Sequence, residues 1–84
     1  MHQITVGDIT YTFSEHAETR MAEEEASLVQ VEETMLDPDR MEPSRTSGHK
    51  VYIKMFRGHK RSLMVVADEE NKRIVTAYWI RSLR

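Results

Sequence analysis

Cysteine is missing from this 84-residue chain altogether. That excludes a disulfide framework and any thiolate metal site, and nothing argues for an oxidising compartment. Long apolar runs are missing too, since no stretch approaches the roughly 18 residues that a membrane span requires. Met1-His2-Gln3-Ile4-Thr5 alternates polar and apolar residues and lacks the apolar core of a signal peptide. A soluble, cytoplasmic protein with no membrane partner is therefore expected. Glycine is scarce, and Gly48 and Gly58 stand alone as turn residues without building a phosphate-cradling loop. His2, His16, His49 and His59 show no ligand spacing, so neither a metal nor another cofactor is expected. Internal repeats and low-complexity segments are absent as well.

What is present suits one small domain spanning residues 1–84. Hydrophobic residues make up 39% and charged residues 31%, a globular balance without the bias of a disordered chain. The net charge is only −2, but it is unevenly spread. Residues 15–42 hold ten acids and two bases, Arg20 and Arg40, whereas residues 45–84 hold ten bases and three acids. Such asymmetry can create a local positive surface on a slightly acidic chain. The plainer reading is ordinary solubilising charge.

Local patterns then divide the chain into an N-terminal hairpin (1–13), two helices (14–37) and a three-stranded meander (49–82). "ITVGDITYTF" alternates around Gly7-Asp8, which suits a type II′ hairpin turn. Ser14 and Ser27 stand where helix N-caps belong. Leu28, Val31, Met35 and Leu36 trace the spacing of an amphipathic helix, which Asp37-Pro38 should end. Residues 39–48 read as a loop with room for a short edge strand. "HKVYIKMFR", "RSLMVVAD" and "RIVTAYWIR" are rich in β-branched and aromatic residues, and their short joints suit antiparallel hairpins. The expected fold class is α+β, a twisted antiparallel sheet with both helices packed on one face.

Strand alternation predicts Val51, Ile53 and Met55 facing the helices, with Val75, Ala77 and Trp79. The open face would then carry Tyr52, Lys54, Thr76 and Tyr78, with His16 and Arg20 near its rim. The middle strand, apolar on both sides, suits a central position. A cation, hydroxyls and a histidine converging on a groove can hold a phosphodiester and divide the work of metal-free RNA cleavage. Tyr and Thr are also simply good strand residues, and a Lys on an exposed sheet face is routine.

The motifs "SEHAETRMAEEEAS" and "VEETMLDPD", with Tyr52, Val65, Val66 and "IVTAY" at Ile74–Tyr78, resemble a small bacterial and phage family. That family is known as domain of unknown function four-two-five-eight, and the similarity covers about residues 9–80. It is similar in turn to the RelE-like and BrnT-like toxins, within the barnase, EndoU, colicin and RelE nuclease group. The resemblance implies a RelE-like or barnase-like sheet and metal-independent RNA cleavage. Carried onto this chain, it makes His16 a general acid/base and lets Thr76 and Tyr78 orient the scissile group or share proton transfer. Arg20 and Lys54 would hold phosphate, with Arg57 and Arg61 as further RNA-binding bases. Where the family usually has Glu-Arg-Gly-Ile between its helices, this chain has Glu23-Glu24-Glu25-Ala26. Glu24, four residues after Arg20, can pair with it and draw it away from phosphate.

Three functions remain in play. One is a toxin-type ribonuclease acting on RNA or the ribosome and restrained by an antitoxin-like protein. Another is a non-catalytic protein- or RNA-binding domain of a phage or mobile element. The last is a homodimer joined through Phe56, Tyr78 and Ile80.

Overall fold

The computed structural model describes residues 2–81, apart from the side chain of His59. Met1 and residues 82–84 of the expected domain, including the expected last meander residue Ser82, lie outside that description. The chain forms β1 (Gln3–Val6), β2 (Ile9–Phe13), α1 (Glu15–Glu24), α2 (Leu28–Leu36) and β3 (Arg40–Pro43). It continues as β4 (His49–Phe56), a short 3₁₀ turn (Arg57–His59), β5 (Arg61–Asp68) and β6 (Arg73–Arg81). The strands make one sheet in the order β1-β2-β6-β5-β4-β3. This is an α+β fold, but the sheet is mixed, because β2 runs parallel to β6 at Thr12 and Phe13. No helix among the described residues is long and apolar enough to cross a membrane.

Local chemistry explains the element boundaries. Val6 pairs with Ile9 across the two-residue turn. Gly7 takes φ +63° while Asp8 stays at negative φ, the type II′ arrangement that only glycine enters cheaply. Ser14 Oγ accepts the Ala17 N–H. Ser27 and Gln30 cap each other's backbone N–H in a full capping box. Pro38 closes the other end of α2, leaving Asp37 in a non-helical conformation. Glu25 ends α1 in the left-handed region at φ +57°, a place usually given to glycine.

Both helices bury residues in one core, as expected, but they reach the sheet differently. α2 lies across β1, β4 and β5, whereas α1 runs beside β6 along the edge that the short β2 leaves free. Ser14 donates N–H to Ile74 O at 3.1 Å and its hydroxyl to Val75 O at 3.1 Å. Nearly three turns further on, the Glu24 carboxylate accepts the Trp79 N–H at 3.0 Å. A helix thus closes a strand edge that another strand would otherwise take.

The expected faces of β4 are reversed. Tyr52, not Val51 or Met55, joins the core with Leu63, Val65, Ala67, Ala77 and Trp79. Tyr52 pairs with Val65, and Leu63 with Trp79, so these side chains share the helix side. Counting apolar residues misled here because tyrosine and lysine bury their bodies when their polar tips find partners. Both tips do. The Tyr52 hydroxyl meets Glu69, and Lys54 Nζ donates to Asp37 O at 3.0 Å at the end of α2. In β6 a register shift skips Val75, pairing Thr76 with Val66 and Ile74 with Ala67. Ile74, rather than the expected Val75, is therefore fully buried in the core. The opposite face carries Val51, Ile53, Met64, Val66, Tyr78 and Ile80.

Candidate functional site

The strongest convergence of chemistry-bearing residues is the seam between α1 and β6. Hydrogen bonds at Ser14 and Glu24 hold α1 parallel to β6, and this sets which helical stripe meets which strand face. Ala17 and Met21 turn into the core, and the neighbouring stripe carries His16 and Arg20. The Arg20 guanidinium lies over the Tyr78 ring, 4.7 Å from its centroid. Its Nε also approaches Glu24 at 3.7 Å, the pairing that their i, i+4 spacing foretold. The Glu24 carboxylate is shared, with one oxygen on the Trp79 backbone and the other toward Arg20. His16 is exposed one turn before Arg20. Thr76 lies two residues before Tyr78, its Oγ1 buried and without a hydrogen-bond partner.

The seam thus gathers four of the residues singled out in the sequence, namely His16, Arg20, Thr76 and Tyr78. The other three lie elsewhere. Lys54 is on the opposite face of the sheet, bonded to Asp37. Arg57 is exposed in the 3₁₀ turn. Arg61 stacks over Trp79 at 5.2 Å, and Trp79 meets Phe56 edge-on with centroids 5.5 Å apart. Among the described residues, no group of three or more His, Cys, Asp or Glu is placed to hold a metal ion.

A second polar cluster escaped sequence reasoning. Tyr11 of β2 and Tyr52 of β4 both donate their hydroxyls to Glu69, the former at 2.6 Å. They meet on the helix side at the β5–β6 turn. Burial first, then the bond to Glu69, pushes Tyr11 up to about 12. The same causes, in the same order, raise Tyr52 further. Both phenols therefore remain neutral donors, and their hydroxyls are engaged within the fold. Alongside, Asp68 accepts from the Asn71 side chain at 2.8 Å and from the backbone N–H groups of Glu70 and Asn71. Those bonds, led by the Asn71 side chain, hold its carboxyl below the usual carboxylate range. Only the alternation of Tyr11 with Phe13, and of Tyr52 with Phe56, hinted that these tyrosines face inward.

The fold and seam define a small α+β protein with a six-stranded mixed sheet and a cation–aromatic pair beside an exposed histidine. The sequence pattern of one family, Domain of unknown function (DUF4258), matches residues 13–79. The chain belongs to that family. Neither a curated protein nor a solved structure matches it.

Proposed function

We propose that this chain is a toxin-like RNA-interacting protein of RelE-like or barnase-like architecture, working in the cytoplasm as a single domain and cleaving RNA without a metal. The observation that carries the reading is the Arg20–Tyr78 stack with His16 one turn away on the same stripe. A guanidinium held over a ring keeps N–H groups to offer phosphate oxygens, and an exposed imidazole beside it can accept a proton. In the proposed step, neutral His16 takes the proton of an RNA 2′-hydroxyl. The 2′-oxygen attacks the adjacent phosphorus, and the bond to the 5′-oxygen breaks with proton return. The products are a 2′,3′-cyclic phosphate and a 5′-hydroxyl end. Arg20 offsets the charge on phosphorus oxygens, and Tyr78 orients the scissile group. Thr76, on the same strand face two residues before Tyr78, helps orient the scissile group or share proton transfer. Arg57 and Arg61 serve flanking phosphates, whereas Lys54 takes no part in the seam. An antitoxin-like protein would restrain the activity.

Glu24 favours a second reading, a non-catalytic domain binding RNA or protein. It occupies Arg20 and adds negative charge where phosphate neutralisation is needed. End-labelled RNA incubated with the protein in a chelator separates the two. Cleavage to cyclic-phosphate ends, lowered about 100-fold or more by His16→Ala, supports the first reading. RNA retained but uncut, and released by Arg20→Ala, supports the second. RNA neither cut nor retained removes the nuclease reading and the RNA-binding arm of the second.

A further inference from the structure

His49 and Asp68 form a polar pair that belongs to neither the seam nor the tyrosine cluster. They open β4 and close β5, and they stand directly opposite one another in the register. His49 Nε2 lies 3.7 Å from Asp68 Oδ2, with the side chains 20% and 16% exposed. Asp68 is itself fixed. Its carboxylate accepts the Asn71 side chain at 2.8 Å and the backbone N–H groups of Glu70 and Asn71, each at 3.1 Å. Those bonds, the Asn71 side chain foremost, hold it below the usual carboxylate range, so an anion faces the imidazole. A histidine oriented by a fixed carboxylate is the arrangement of a proton-transfer pair.

Register places this pair on the same sheet face as Tyr78. Val51 and Val66 pair two residues inward from His49 and Asp68, on the side away from the core. Thr76 pairs with Val66, and Arg73, the β6 partner of Asp68, adds a cation to the same end of that face. α1 borders the face along β6, and Arg20 overhangs it at the Tyr78 ring. Ser14 is bonded to Ile74 O and Val75 O. Rises of about 1.5 Å per helix residue and 3.3 Å per strand residue then set His16 level with Thr76. His49 lies two strands over and two residues along from Thr76, about 12 Å between Cα positions at a strand spacing of about 4.8 Å. His16 and His49 thus border one strip from opposite sides. Its floor holds Val66 and Thr76, whose Oγ1 is buried without a hydrogen-bond partner.

We infer that His49, oriented by Asp68, is the general acid that protonates the leaving 5′-oxygen in the RNA cleavage proposed above. The assignment rests on that reading, which names a base and gives the leaving oxygen no acid. Metal-free transesterification needs both, because in-line displacement puts the entering and leaving oxygens on opposite sides of phosphorus. A group that has taken a proton on one side is not placed to return it on the other. His16 takes the 2′-hydroxyl proton as the 2′-oxygen bonds to phosphorus. As the bond from phosphorus to the 5′-oxygen breaks, its electron pair stays on that oxygen. The oxygen then takes the proton from the ring nitrogen of protonated His49 that Asp68 does not face. His49 ends neutral and His16 ends protonated, and proton exchange with water resets both. Asp68 touches no substrate and is a positioning residue.

The test uses one RNA in two forms, natural and with sulfur replacing the bridging 5′-oxygen at the cleaved link. A thiolate departs without a proton, so the sulfur form needs the base and not the acid. His49→Ala should cut natural RNA about 100-fold more slowly, yet cut the sulfur form within about threefold of the unsubstituted chain. Asp68→Asn should show the same selectivity with a smaller loss, in kcat rather than KM. His16→Ala should slow both forms. Circular dichroism checks that each variant is folded, and His49→Gln takes the place of an alanine variant that is not. Natural RNA cut equally well with and without His49 overturns this role and leaves the nuclease reading standing. Equal losses on both forms in a folded His49 variant also overturn it, because an acid alone cannot cause them. An unsubstituted chain that cuts neither form removes the nuclease reading, and the His49 role falls with it.

Discussion

At the scale of single residues, the structure is governed by where polar tips find partners. Tyr52 is the clearest instance. Judged by polarity it belongs on an open face, yet it lies 7% exposed because Glu69 receives its hydroxyl. Removing that hydroxyl leaves a half-buried carboxylate one donor short, so Tyr52→Phe should lower unfolding free energy by about 1–3 kcal/mol in urea denaturation. The two phenols also set an alkaline limit. Unfolded, each ionises near its ordinary value of 10.0, whereas folded Tyr11 does so only at about 12 and Tyr52 is raised as well. Above the unfolded value the unfolded chain loses phenolic protons that the folded chain keeps, so it is favoured. Stability contributed by the pair is therefore complete below pH 10.0 and falls as pH rises toward 12. Denaturation midpoints measured across that range should drop, and drop less in Tyr52→Phe. Beyond the alternation that turns each tyrosine inward, the cluster was not legible beforehand, because Tyr11, Tyr52 and Glu69 are far apart in the chain and no periodicity joins them.

At the scale of elements, ends were legible and faces were not. Both serine caps, the Gly7-Asp8 turn and the stop before Pro38 are local chemistry written in adjacent residues, and the structure has each where the sequence implies it. The Arg20–Glu24 spacing was equally readable. By contrast, the β6 faces depend on a bulge at Val75, and nothing within "RIVTAYWIR" announces a skipped residue. Glu25 shows a local rule broken at a cost. A side chain in the left-handed region is worth about 1 kcal/mol less than glycine, and Glu25 sits there at φ +57°. Glu25→Gly should raise stability by about that amount. A denaturant midpoint that stays the same or falls would show that the Glu25 side chain contributes to the turn.

At the scale of the whole molecule, chain order and sheet order diverge. The meander β4-β5-β6 could be read in sequence, because short joints make neighbours of consecutive strands. The hairpin β1-β2 docks instead on the last strand, in parallel, and that long-range pairing had no local signal. The seam inherits this limit: α1 meets β6 only because the hairpin delivers it there, so Arg20 and Tyr78 come together across most of the chain. The same topology ranks the strands. β5 is paired along its length on both sides, whereas β1 and β3 lie at the sheet's edges. Hydrogen exchange should find Leu63–Ala67 amides opening only with global unfolding and those of β3 exchanging fastest among the strands. Uniform protection across the sheet would contradict that ranking.

The carboxylate that blunts Arg20 has another consequence. By accepting the Trp79 N–H, Glu24 occupies a backbone donor on the stretch of β6 that β2 leaves uncovered. Bare edges recruit strands from other molecules and seed fibrils. Seen this way, the acidic residue that weakens the case for catalysis is a guard: it helps keep the chain from growing onto its own kind.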